Sequence, residues 1–360
     1  MSRRTREHAE RSQERSLDVP TASTDHLIGY GAVSAVERKV AEYYGAKHAL
    51  CVSSATAGLL ALGLALDLKD TGFITSPLTY GASIASWLIL GNRPTFNDVE
   101  PGTVTADPDA IRTEIRSSTR AILGIDFCGY PSDSAAIRRV ADDCGLWYVS
   151  DSAQAFGARR DGGIAGSHAH AVVISLTSGK AWDCGEGGII VTNNSDIYER
   201  LLWHCQHPLR QKRELGLGVF NEFAFNSRIH PLTAIAANGS FADAVAILEN
   251  KQHRYLEACQ ILNKSGLVEP LTYHPDGILP SFFRFSVCAK EGTRSEDVEM
   301  CLAGAGIQAR TTPFDTQLIY NNPVFVGQYG DRFDVPRPCR EAERTDRRTL
   351  LTIDEREAYP

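Results

Sequence analysis

One lysine stands in a small polar loop between two apolar runs. Residues 171–193 read A-V-V-I-S-L-T-S-G-K-A-W-D-C-G-E-G-G-I-I-V-T-N, with Lys180 at the turn. Lysine is rarely placed where water is scarce without a partner. Desolvation lowers its pKa and frees the amine to attack a carbonyl carbon. On that reading Lys180 forms a Schiff base; the plainer alternative is a solvated turn lysine beside a hairpin. Two further polar features follow apolar strand-like runs. Ser54-Ala-Thr56 comes after H-A-L-C-V, and Asp151 comes after L-W-Y-V-S.

The elements that must position these groups alternate along the chain. Short apolar runs at 48–52, 73–75, 94–98, 121–127, 146–150 and 172–175 read as strands. Helical patterns at 34–44, 59–66, 83–90, 107–117 and 132–144 lie between them. Continuously apolar strands separated by helices imply a mostly parallel sheet covered on both faces, an α/β fold. Ligands gather at the carboxyl ends of the strands in such a sheet, so Ser54–Thr56, Asp151 and the Lys180 loop are expected to converge. Beyond 196 a helix, a basic irregular stretch at 207–217, and helices at 232–248 and 251–262 are expected. A strand at 282–287 and a helix at 295–305 follow. The division expected is an arm at 1–25, a large domain at 26–245 and a smaller α+β domain at 246–360, with the order of the stretch from 334 left open.

Composition narrows the function classes. The chain has 360 residues, 43% hydrophobic and 22% charged, with a net charge of -7. That balance argues against a protein whose main work is neutralising a phosphate backbone. The nine cysteines form no C-x-x-C and no zinc spacing, which fits reduced thiols in a cytoplasmic compartment and no metal. No stretch reads as a membrane span or a secretory signal. The arginines of residues 1–16 are interrupted by Glu7, Glu10 and Glu14, which suits a solvated, disordered arm better than a nucleic-acid tail.

If Lys180 holds an aldehyde cofactor, pyridoxal phosphate makes specific demands. Its pyridine nitrogen needs a carboxylate, which Asp151 can supply. Its phosphate needs N–H groups at a helix start, which Ser54-Ala-Thr-Ala supplies before an apolar helix. An aromatic face should cover the ring, and Tyr80 in P-L-T-Y-G-A-S follows a strand. Singly, each has a bland explanation: a strand-terminal cap, a good helix cap, a core or surface tyrosine.

Together these motifs resemble the pyridoxal-phosphate-dependent sugar aminotransferases of the DegT/DnrJ/EryC1/StrS family, fold type I. The resemblance runs from about Gly29 to Leu351. It is densest in S-S-A-T-A-G-L, P-L-T-Y-G-A-S, D-F-C-G-Y-P-S-D, D-S-A-Q-A-F-G-A, S-L-T-S-G-K and G-E-G-G-I-I-V-T-N. It implies that Lys180 is the Schiff-base lysine and Asp151 the partner of the pyridine nitrogen. It further implies that Gln154 lies near the ring's phenolic oxygen, that Tyr80 stacks on the ring, and that Ala55, Thr56 and Ser175 bind the phosphate. Asn226, in A-F-N-S-R-I, matches an asparagine that reaches the neighbouring subunit's phosphate, which implies a homodimer.

Departures from the family pattern are Ala55 for a glycine, Thr177 for a His or Asp, Ser227 for a tyrosine, and an early C-terminal stop. The activity implied is transfer of an amino group from glutamate or glutamine to a keto-sugar, nucleotide-linked, in secondary-metabolite or cell-surface sugar biosynthesis. Amination of a cyclitol or another ketone is an alternative, and a non-catalytic binding or regulatory subunit is another. A dehydratase branch of the family carries histidine in place of the lysine, so Lys180 argues against it. The segment 210–213, R-Q-K-R, could meet a nucleotide diphosphate or simply be a solvated loop.

Overall fold

The computed structural model describes residues 25–333, 338–344 and 348–353. The arm expected at 1–25 therefore lies, but for Asp25, outside the described residues. In chain order the large-sheet region carries β1 (His48–Val52), β2 (Gly72–Thr75), β3 (Arg93–Phe96), β4 (Thr119–Ile125) and β5 (Trp147–Asp151). It continues with β6 (Arg159–Arg160), β7 (Gly163–Ile164), β8 (Ala171–Ser175) and β9 (Gly188–Thr192). Seven of these form one sheet in the order β1-β9-β8-β5-β4-β2-β3. The pairs from β8 to β3 are all parallel, and β9 runs antiparallel to both its neighbours. The α/β architecture expected from the alternation is the one observed, with one reversed strand.

Both faces of this sheet are buried, and the two-residue period of a strand decides which side chain meets which layer. Leu50, Val52, Val173 and Ile190 join the core beneath the helix Ala55–Ala65. Their neighbours Ala49, Cys51, Val172, Ile174, Ile189 and Val191 join the opposite core, against the helices Ala32–Tyr44 and Pro231–Ser265. The helix Ala55–Ala65 can be apolar all round because it is enclosed, by the sheet on one side and by the helices Gly81–Ile89 and Ser195–Cys205 on the other. A Cβ at Gly58 would already touch Ile190, Val52 and Val173 at 3.2–3.4 Å, so the small residue lets this helix lie directly on the strands.

Several elements differ from the sequence-based expectation. The helix at Pro108–Thr113 stops short of 117, because Thr119 Oγ1 accepts the Arg116 N–H at 3.0 Å and the chain turns into β4. Residues 207–217 are not an irregular excursion: Pro208–Leu215 is a helix, with His207 accepting the Leu209 N–H at its start. The two helices expected at 232–248 and 251–262 are one, Pro231–Ser265. The polar run between them contains neither proline nor glycine, so nothing interrupts the backbone pattern. Its buried Gln252 donates to the carbonyl of Pro280 at 3.0 Å.

That long helix is also the one described helix with the length and apolarity to cross a bilayer, where no such stretch was expected. Ala234, Ala237, Ala244 and Leu248 on it join the core. Beyond it come β10 (Ile278–Leu279), β11 (Phe285–Cys288), the helix Ser295–Gly304, β12 (Ala309–Pro313), the helices Pro323–Tyr329 and Arg340–Glu343, and β13 (Arg348–Ile353). The order β11-β13-β12 forms an antiparallel sheet, and β10-β6-β7 a small ribbon. The stretch beyond 334, whose order was left open, thus supplies the central strand of the smaller sheet.

Candidate active site

The register of the large sheet places the chemistry in a row. Gly188, the first residue of β9, pairs with Val52 at the end of β1 and with Ser175 at the end of β8. Asp151 ends β5 beside Ile125 of β4, so Asp126 follows on the same edge. Val52, Ser175, Asp151 and Ile125 end strands that run the same way, with Gly188 starting the reversed β9 beside them. At such carboxyl ends a ligand meets chain leaving the sheet rather than its flat face. A cleft of about 1020 Å³ opens there, lined by Ala55, Thr56, Tyr80, Asp151, Gln154, Ser175 and Lys180 among others. Seven of the eight expected site residues therefore face one cavity. Asn226 does not: it lies exposed on a segment whose next residue, Ser227, accepts the Ser53 N–H at 2.8 Å.

The Lys180 loop is held from within and from behind. Asp183 accepts from Gly179 N and Gly185 N, each at 2.9 Å, and its carboxyl is held below the usual range mainly by the bond from Gly179. Trp182 is buried and donates to Ser240 Oγ at 3.2 Å, anchoring the loop on the long helix. Lys180 itself is half-buried, with Nζ 4.1 Å from the centroid of the Phe283 ring. Burial lowers its pKa; the Asp151 charge opposes that shift and the Arg284 charge adds to it. The amine is thus neutral more readily than an ordinary lysine.

Asp151 is 6% exposed. Burial raises its pKa, opposed by hydrogen bonds from Ser83 and from the Ala153 N–H, the latter 3.0 Å long, and by the Lys180 charge. Below it, Asp126 accepts from Ser132 N at 2.8 Å, Ser150 Oγ at 3.0 Å and Ser152 Oγ at 2.5 Å. Burial raises the pKa of Asp126 too, against the pull of these bonds. Gln154 Oε1 accepts from Cys128 N at 2.7 Å.

At the helix start Ser54 caps Ala57 N at 3.1 Å, while the first turn of any helix leaves N–H groups without intrahelical partners. A Cβ on Gly188 would lie 2.5 Å from Ala55 N, so the absence of a side chain there sets how closely this turn sits against the sheet. Ser175 Oγ meets Thr177 Oγ1 at 3.1 Å, and Thr177 Oγ1 reaches Glu186 at 3.2 Å. Tyr80 is largely exposed at the mouth.

Phe283, Arg284 and Asp126 were not singled out from sequence. The first two come from the far end of the chain, where S-F-F-R-F reads as one apolar strand. Phe282 adopts a left-handed backbone (φ 52) that breaks the strand's alternation, burying its own ring while Phe283 and Arg284 line the cleft. The arginine inside that aromatic run was the available signal. Arg210 of the R-Q-K-R segment is not at the cleft. It is buried against Glu37 through bonds of 2.8 and 3.0 Å.

Pyridoxal phosphate fits these residues: a helix start lined by small residues, a dry carboxylate, and a lysine of lowered pKa face one cavity. A model of the DegT/DnrJ/EryC1/StrS aminotransferase family matches residues 10–351. The chain belongs to that family. Pyridoxal-phosphate-dependent aminotransferase is this chain's enzyme class, and pyridoxal phosphate its cofactor.

Solved structures of similar fold include Helicobacter pylori PseC, an aminotransferase of pseudoaminic acid biosynthesis. It is 22% identical, with 92% of this chain and 88% of that one covered and a TM-score of 0.74. DesV of S. venezuelae, in complex with a ketimine intermediate, is 25% identical, with 90% and 84% covered and a TM-score of 0.72. DesI, in the presence of its TDP-sugar product, is 27% identical, with 90% and 79% covered and a TM-score of 0.68.

Proposed function

We propose that the chain transfers an amino group from glutamate or glutamine to a keto-sugar, nucleotide-linked, with Lys180 and Asp151 as its catalytic residues. The observation that carries this reading is the meeting of Lys180, Asp151 and the start of helix Ala55–Ala65 in one cleft. When bound, pyridoxal phosphate supplies a reactive aldehyde and a ring that accepts electrons. Ala55, Thr56 and Ser175 would hold the phosphate on the helix start. Asp151 would keep a proton on the ring nitrogen. Gln154, which accepts from Cys128 N, and Tyr80 would contact the ring. The neutral Lys180 amine would take the proton from the donor's α-carbon as a positioned base, hold it as the ammonium, and return it as the acid.

The keto-sugar acceptor is supported by the products and pathways named for DesI and PseC. One observation favours a second acceptor class, a cyclitol or other uncharged ketone: among the described residues lining the cleft, only Lys180 and Arg284 are cations.

Asn226 acts, in this reading, on the phosphate of a second copy of the chain, in a cytoplasmic homodimer. Exposed Phe223 and Phe225 beside it would be covered by that partner. The proposed division into a large domain to residue 245 and a small one beyond it leaves the cleft between them.

Borohydride reduction of the protein loaded with pyridoxal phosphate should leave the reduced cofactor, joined with loss of water, on the peptide bearing Lys180. Lys180→Ala should lose both that adduct and all turnover. An unmodified Lys180, or turnover retained without it, removes the lysine from the mechanism.

A further inference from the structure

We propose that Arg284 is the residue that binds the carboxylate of the amino donor, and that Asp315 occupies it in the donor's absence. The inference deepens the aminotransferase reading above and rests on it. The described residues lining the cleft include four carboxylates, Asp126, Asp151, Glu186 and Asp315, against two cations, Lys180 and Arg284. An amino-acid donor brings a further negative charge into this acidic surrounding. Lys180 is committed to the chemistry, which leaves Arg284 to meet that charge.

Its position suits the task. Arg284 adjoins Phe283, whose ring lies 4.1 Å from Lys180 Nζ, so a carboxylate on the guanidinium would set the donor's neighbouring carbon toward the amine. The backbone there is held firmly: Arg284 N donates to the Cys128 carbonyl at 3.1 Å and Ser281 N to the Gly129 carbonyl at 2.9 Å.

The present partner of Arg284 is weakly held. A single bond of 2.9 Å joins its Nη1 to Asp315 Oδ1, with the two side chains 43% and 70% exposed. Such an exposed pair contributes little, whereas a free carboxylate can take a guanidinium through two parallel bonds. A donor therefore displaces Asp315. When an acceptor without a carboxylate follows, Asp315 returns, so the cation is never left alone in the cleft. One site can then serve two substrates of different charge.

The test compares L-glutamate with its 1-amide, isoglutamine, in the donor half-reaction of the holoenzyme, followed by the cofactor's absorbance. Wild type should prefer glutamate, and Arg284→Gln should raise its half-saturating concentration roughly 10- to 100-fold while leaving isoglutamine almost unmoved. Arg284→Lys should recover part of the loss. Asp315→Asn, which removes the competitor, should move glutamate the opposite way, by up to about 5-fold. A merely structural role would affect both donors alike.

Calorimetric binding of glutarate gives a readout free of turnover and should weaken by the same factor in Arg284→Gln. Glutarate binding or glutamate preference unchanged in Arg284→Gln overturns the proposal. Glutarate binding that depends on Arg284, in a protein that reacts with neither of these donors nor with glutamine, would sink the aminotransferase reading and leave the carboxylate site standing.

Discussion

Gly188→Ala adds one methyl group at the seam between the sheet and the helix start. The new Cβ would lie 2.5 Å from both Ala55 N and Ser54 C and 2.8 Å from Ser54 O, where ordinary contact begins at 3.4 Å. These are backbone atoms with no rotamer to change, so the start of helix Ala55–Ala65 must recede by about 1 Å. An N–H···O bond works between about 2.7 and 3.2 Å, and a retreat of that size puts an anion seated on Ser175 out of reach of the helix. One lost hydrogen bond to a charged group costs about 1.5–3 kcal/mol, so affinity for pyridoxal phosphate should fall roughly 10- to 150-fold. Overpacking should also lower stability, by about 1–3 kcal/mol.

Equilibrium dialysis of the apo protein against pyridoxal phosphate measures the first effect, and urea unfolding the second. Gly218→Ala is the control, since its Cβ would meet nothing within 4 Å. A folded Gly188→Ala protein that binds the cofactor within about threefold of wild type would refute the assignment of this helix start to the phosphate.

Labelling of Lys180 by an amine reagent in the apo protein, followed by peptide mass, should have its midpoint below that of an ordinary lysine, because burial lowers its pKa. Asp151→Asn removes the charge that opposes this shift, so the midpoint should move further down; an upward move contradicts the pairing. Since the unfolded chain then holds the proton more tightly, stability should rise with pH between the folded and unfolded values, and Lys180→Met should flatten that rise. Arg210→Met leaves Glu37 buried without its partner and should cost about 3–5 kcal/mol in urea unfolding, with Glu37→Leu added to it restoring most of the loss. An Arg210→Met protein as stable as wild type would mean that water or another group reaches Glu37.

Local signals made much of the site legible. Ser54 before an apolar helix, Asp151 at the end of an apolar strand, and Lys180 in a glycine-bearing loop each carry a type and an offset that chemistry requires. Strand ends in a parallel sheet bring such features together whatever the loop lengths between them. Less legible was what depends on distant partners. Basic residues at 210–213 look solvated, yet Arg210 is buried because Glu37, far away on the helix Ala32–Tyr44, faces it. The break expected between helices at 232–248 and 251–262 is absent, because no residue there forbids a helix and both flanks are held by packing.

The order of residue types along the chain by itself determined the α/β class, the strands that end on the cleft, and seven residues that line it. The class, the strand ends, and Lys180, Asp151, Tyr80 and the Ser54–Thr56 turn rest on periodicity, caps and short-range pattern, which act within a few residues; Gln154 and Ser175 came from the resemblance to the family. Only the tertiary structure decided that β9 runs backwards, that Gly188 sits against Ala55, and that Phe283 and Arg284 come from over a hundred residues away to face Lys180. Those facts follow from strand register and long-range packing, which no local stretch of sequence specifies. They set the environment of the lysine, and with it how readily its amine is neutral.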